Sequence, residues 1–101
     1  MKVKPYKTYL PILPNQPIFT DVQGELMTIE EQAGHLVIYF DANSKYYHKY
    51  NIYLVETGKE VEINMLNAVY LKTLMLLDGN YVLHIYVEEV EDELETESIL
   101  G

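Results

Sequence analysis

Ala68-Val-Tyr-Leu-Lys-Thr-Leu-Met-Leu-Leu77, Asp78-Gly79-Asn80, Tyr81-Val-Leu-His-Ile-Tyr-Val87: two runs of aliphatic, aromatic and β-branched residues flank a turn cluster, the pattern of a β-hairpin. Two registers compete. A three-residue loop (Asp78, Gly79, Asn80) pairs Leu77 with Tyr81, Met75 with Leu83, Thr73 with Ile85 and Leu71 with Val87. It collects Leu71, Met75, Leu83 and Ile85 on one face. A two-residue loop (Asp78-Gly79) instead places Lys72 beside Leu74, Leu76, Leu83 and Ile85. Side chains alternate along a strand, so the choice moves every residue to the other face. The three-residue loop is preferred because it leaves Lys72 and Glu88 together at a wet edge, and Asn80 tolerates the left-handed conformation that ends such a loop.

Upstream, Val61–Ile63 reads as a short strand, Thr57-Gly58-Lys59-Glu60 as a turn and Tyr46–Val55 as an alternating strand. Gly34–Asp41 is a short continuous apolar run, which suits a strand buried on both faces. The segments 34–41 and 46–56 are expected to form a second hairpin across Asp41-Ala-Asn-Ser-Lys45. Gly24–Gln32 alternates and is read as a strand, although Met, Glu and Gln also suit a helix. Pro14-Asn15-Gln16-Pro17 is a loop. Val3–Ile12 is extended, and Pro5, Pro11 and its lysines suit a sheet edge. The fold expected is mainly β: a compact antiparallel sandwich or barrel of about six to seven strands over 1–88. An acidic segment, 89–101, follows, with a short helix as one form open to it.

The chain has 101 residues, the size of one domain, and 49% of them are apolar, which suits a globular core. It has no cysteine, so disulfides and thiolate metal sites are excluded. It lacks an 18-residue apolar run, and its N-terminus lacks the apolar core of a signal peptide. A cytoplasmic setting without membrane contact is the expectation. The formal net charge is −9, from sixteen acids and seven lysines, with no arginine. Seven of the acids lie between Glu88 and Glu97. Binding a phosphate backbone needs clustered basic charge, so direct nucleic-acid binding is not expected.

Chemistry-bearing motifs are sparse. His35, His48 and His84 stand apart without metal-ligand spacing, so no metal or other cofactor is expected. The only serines are Ser44 and Ser98, outside any Gly-x-Ser-x-Gly context, and no Gly-rich phosphate loop exists. These absences point away from an enzyme. Tyrosine is abundant, ten residues, and suits cross-strand pairs as well as binding faces. The tract Tyr46, Tyr47, His48, Lys49, Tyr50, just after a turn, is the candidate contact surface. The acidic stretch Glu91, Asp92, Glu93, Leu94, Glu95 is the second. Its apolar interruptions suit docking into a basic groove on another protein.

Thr57-Gly58, Tyr70-Leu-Lys-Thr73 and Val82-Leu-His84 carry a resemblance. They are similar to the strand ends and turns of a family of small uncharacterised β proteins encoded by bacteriophages and prophages, loosely from Tyr6 to Glu88. The family often has Gly-Thr-Gly and an aromatic residue before the histidine, where this chain has Glu56-Thr57-Gly58 and Leu83. The resemblance implies a phage accessory protein in a host cytoplasm and carries no catalytic residue. Together these readings give a small acidic protein-binding module that inhibits a host or defence protein. A homo-oligomeric phage assembly component is the alternative, and a nucleotide-sequestering pocket with tyrosine stacking the third.

Overall fold

The computed structural model describes residues 1–44, 47–64 and 67–90. These form seven strands and, among the described residues, no helix: β1 (Pro5–Leu10), β2 (Pro17–Val22), β3 (Glu25–Gln32), β4 (His35–Asp41), β5 (His48–Glu56), β6 (Ala68–Leu76) and β7 (Tyr81–Val90). One antiparallel sheet has three strands in the order β1-β4-β3, and the other four in the order β2-β5-β7-β6. The two sheets form a sandwich. Ile29, Leu36 and Ile38 of the first meet Ile52, Leu54, Leu83 and Ile85 of the second, all of them 0–1% exposed. The short tail helix, one form left open by the sequence, falls in 91–101, outside the described residues.

The β6–β7 hairpin forms in the register of the two-residue loop, not in the preferred one. Leu76 faces Tyr81, Leu74 faces Leu83 and Lys72 faces Ile85. The turn decides this. Leu77, Asp78 and Gly79 take φ of 53°, 54° and 87°, the last two as in a type I′ turn, and Gly79 N–H and Asn80 N–H donate to Leu76 O and Leu77 O at 3.1 and 3.0 Å. Met75 is consequently 70% exposed on the outer face, while Leu74 and Leu76 turn inward. Lys72, placed among apolar neighbours, is accommodated because β6 is an edge strand. Its ammonium reaches Glu30 of β3 and closes that side of the sandwich. A bulge between Tyr70 and Lys72 then sets Tyr70 opposite Tyr86.

The second expected hairpin does not form. β4 is the centre of its sheet, between β1 and β3, whereas β5 pairs β2 and β7. The continuous apolar run of β4 occupies it with two neighbours in its own sheet, and the chain crosses to the other sheet between Asp41 and His48. Asp41 anchors the crossing: its carboxylate accepts the N–H of Lys4 at 2.9 Å and of Asn43 at 3.0 Å. Those bonds hold its pKa below the usual carboxylate value. Val61–Ile63 is not a strand. β2, by contrast, is a strand that the sequence reading passes over, its six residues framed by Pro17 and Gly24.

Tyr50 ties the two sheets together. A bulge between Leu26 and Thr28 turns the Leu26 N–H inward, and it donates to Tyr50 Oη at 3.1 Å. Burial, first of all, raises the Tyr50 pKa. Gly24 makes the tightest backbone approach, since a Cβ there would lie 2.3 Å from Asp41 O.

Candidate functional site

Strand pleating sends Ile18, Ile52, Val87 and Ile85 into the core, so their neighbours along each strand form the outer face of the four-stranded sheet. The register lines up Pro17, Tyr53, Tyr86 and Tyr70 as one row across all four strands. Tyr70 and Tyr86 meet edge to face with ring centres 5.5 Å apart. Tyr53, at the middle of the row, is only 8% exposed although it lies opposite the core. Burial first, then the charge of Glu88, raises its pKa. Phe19, Tyr70 and Met75 on this face are 61%, 54% and 70% exposed. Aromatic and methionine side chains that remain in water along one face are the composition of a protein contact surface.

Beside that row lies a hydrogen-bonded chain. Tyr70 Oη is 2.6 Å from Thr73 Oγ1, Thr73 Oγ1 is 2.9 Å from His84 Nδ1, and His84 Nε2 is 2.8 Å from Thr57 Oγ1. Both imidazole nitrogens are therefore engaged, and the ring is fixed in orientation. Thr57 is itself positioned by a turn in which Lys59 N–H donates to Glu56 O at 3.1 Å and Gly58 takes φ of 86°, a conformation glycine adopts without strain. Asn15 secures the turn from the other side: Glu56 N–H donates to Asn15 Oδ1 at 3.0 Å, and Asn15 Nδ2 donates to Glu56 Oε1 at 2.6 Å. Thr57-Gly58, Tyr70–Thr73 and Val82–His84, distant in sequence, thus converge on one patch.

The expected contact tract does not form one face. Tyr47 is exposed, at 64%. His48 and Tyr50 point to the core side, their rings stacked at 6.2 Å. Tyr50 is 5% exposed and its hydroxyl is spent on Leu26. Tyr46, Glu91, Asp92, Glu93, Leu94 and Glu95 lie outside the described residues. The residues that the sequence reading left out of the site are Phe19, Tyr53, Tyr86, Tyr70, Thr73, His84 and Thr57. A signal for the tyrosines was present: alternation along 48–56 already sets Tyr53 opposite in facing to Tyr50.

Ser44, His48 and Glu89 come together in a way that sequence spacing does not reveal. Ser44 Oγ is 3.3 Å from His48 Nε2, and His48 Nδ1 is 2.7 Å from Glu89 Oε1. This is the connectivity of a serine–histidine–acid relay. Acyl transfer also needs N–H groups aimed at a developing oxyanion. Here the nearby Asn43 N–H donates to Asp41 Oδ1 and the Ser44 N–H to Asp41 O, at 3.0 and 3.4 Å. The trio reads as a polar fastening between the start of β5 and the end of β7. No group of three or more metal-ligating side chains gathers among the described residues, and no helix there is long and apolar enough to cross a membrane.

Fold and site together define a small antiparallel β-sandwich with one aromatic, histidine-bearing sheet face. The chain matches over residues 1–96 the family described as Domain of unknown function (DUF7352), and it belongs to that family. No curated protein and no solved structure matches it.

Proposed function

We propose that the chain is a non-enzymatic protein-binding module that uses the outer face of the four-stranded sheet to hold a protein with a basic surface. The row Pro17–Tyr53–Tyr86–Tyr70, with Met75 and Phe19 beside it, carries this reading. Tyrosine offers rigid contact area with a polar tip, and the His84 chain holds the patch in one shape before contact, which lowers the ordering cost of binding. Charge selects the partner. Asp21 and Glu88 border the face, and the seven acids between Glu88 and Glu97 continue from β7. A basic groove is the complement that such an arrangement attracts and a like-charged surface is rejected.

The biological role we propose is inhibition of a host or defence protein in the cytoplasm by a phage-encoded chain, in line with the resemblance carried by Thr57-Gly58, Tyr70–Thr73 and Val82–His84. Pull-down from host lysate with the parent chain, Tyr70→Ala and Met75→Lys is the test. A partner retained by the parent and lost with both variants supports the face. A partner held equally by all three places contact elsewhere.

A further inference from the structure

Among the described residues, four strand edges border the sandwich, those of β1, β2, β3 and β6. A bare edge pairs readily with another chain, and folded proteins blunt theirs with proline, lysine, bulges or cover. Here β1 carries Pro5 and Lys7, with Pro11 just beyond its end. β3 and β6 each contain a bulge, and Lys72 with Glu30 ties one edge to the other. β2, Pro17-Ile-Phe-Thr-Asp-Val22, carries a proline only at its first position and has neither lysine nor bulge, so Ile18–Val22 keep an open side, which borders a groove lined by Leu10, Ile18, Val22 and Phe40.

The backbone groups that β2 offers can be identified. Glu56 N–H donates to Asn15 Oδ1, and Leu54 O accepts the Asn15 N–H at 2.8 Å. The even-numbered residues of β5 therefore turn their backbone groups toward β2. Their partners Ile18, Thr20 and Val22 bond back to β5. Phe19 and Asp21 are left with N–H and C=O on the open side, and Pro17 sits where its missing N–H would also face outward.

We infer that β2 pairs antiparallel with β2 of a second copy of this chain, about a twofold axis at Thr20. The strand's own residues select the register. Centred on Phe19, the axis sets Pro17, which has no N–H to give, against Asp21 of the partner subunit. Centred on Asp21, it sets two carboxylates face to face, which is unfavourable. Centred on Thr20, it makes Phe19 and the partner's Asp21 a bonded pair that exchanges both N–H···O bonds, and repeats this by symmetry. It also sets Ile18 against Val22 of the partner subunit on the core side, and threonine against threonine at the centre, a favourable cross-strand pair. The contact is isologous and closes as a dimer. One continuous sheet then runs through both copies and sets their aromatic rows on one surface. This gives self-association, the alternative raised from sequence, a specific interface, and it does not depend on the outer-face reading.

Sedimentation equilibrium at ~0.15 M salt, where the screening length is about 8 Å, tests it with the parent, Thr20→Lys, Thr20→Glu and their equimolar mixture. Thr20 is half-buried beside the groove, so either charge remains hydrated in a monomer. The parent should be dimeric. Each variant alone should raise the self-association midpoint about two- to fivefold, the size expected of like charges directly across two strands. The mixture should restore it, because lysine then faces glutamate. Phe19→Pro removes an outward N–H, together with an exposed ring, and spares the bonds from β2 to β5, so it should also weaken the dimer while Phe19→Ala, which keeps the N–H, weakens it less, with circular dichroism reporting an intact fold in both. A parent that stays monomeric at ~100 μM, far above the Kd of a stable dimer, overturns the proposal. So does a Thr20→Lys variant that dimerises like the parent, or a mixture no tighter than its components. Tyr70→Ala, away from this edge, should leave the dimer unchanged, so failure of the contact-face reading and failure of this one are separable.

Discussion

Leu83 and Met75 belong to the same hairpin and face opposite ways, and their substitutions should differ accordingly. Leu83 is 0% exposed in the middle of the core, so Leu83→Ala should cost about 2–5 kcal/mol in denaturant melts, lost transfer energy plus a cavity. Met75→Ala, at a side chain 70% exposed, should stay within about 0.5 kcal/mol. Comparably large losses at both positions would restore the three-residue-loop register, which sets Met75 and Leu83 on one face. Gly24→Ala tests a backbone contact: the new Cβ meets Asp41 O at 2.3 Å, so β3 or the Asp41 turn must shift, at a cost of about 1–3 kcal/mol. Glu30 gives a pH signature. Its pKa is lowered, chiefly by the hydrogen bond from Lys72, with Thr28 helping and partial burial opposing. A carboxylate more acidic folded than unfolded adds stability that is complete above its ordinary value of 4.5 and is lost as pH falls through the lower folded value. Glu30 is 41% exposed, so the gain is at most about 1 kcal/mol, and Glu30→Gln should flatten stability against pH by that amount below pH ~5.

At the scale of elements, the turns hold the decisive information. Ala33 and Gly34 join β3 to β4 with φ of 52° and 84°, the type I′ pattern, and alanine is strained at the first position. Ala33→Asn should stabilise by about 0.5–1 kcal/mol, since asparagine tolerates the left-handed region and Ala33 has no burial to lose. Loss of stability in a thermal melt would contradict that turn type. The β6–β7 hairpin shows why its existence was legible and its register was not. Two apolar runs around Asp78-Gly79 announce a hairpin, and the same dipeptide is the I′ signal that fixes the register. Lys72 argued the other way, because its partner Glu30 is 42 residues upstream on the other sheet and no local pattern reveals it. The pairing of β4 with β1 and β3, rather than with β5, was hidden for a similar reason. Turn chemistry at Asp41 permits a hairpin, and the sheet partners that replace it are set by core complementarity between distant segments. The outer aromatic row follows from the same long-range register, so the tyrosines were visible in the sequence but their alignment was not.

For the whole molecule, the described strands run as far as Val90, and the strongly acidic stretch of sequence 91–101 follows them. Among the described residues all seven strands and the whole core cluster lie within 5–90, so removing 91–101 leaves each of them in place. Five acids leave with it, taking the formal net charge from −9 to −4, which lowers self-repulsion. The truncated chain should therefore melt within about 1 kcal/mol of the parent, and failure to fold would make the segment part of the structure. On the contact-face proposal, its contribution would be to encounter with a partner. Glu88 and Glu89 are fixed on β7, bonded to Asn51 and His48, and so the acidic run starts at the border of the aromatic face. On that proposal, charge at that border would raise the association rate of a basic partner, whereas apolar contacts made by Tyr70, Tyr86 and Met75 would govern dissociation. Exchanging Glu91, Asp92, Glu93 and Glu95 for Gln should slow association about tenfold or more and change dissociation little. Salt added to the parent should reproduce that effect, because the screening length falls from ~10 Å at 0.1 M to ~3 Å at 1 M. Tyr70→Ala should show the opposite signature, faster dissociation at an unchanged association rate. An association rate indifferent both to the Gln exchange and to salt would remove the acidic segment from the binding mechanism and leave the aromatic face to act alone.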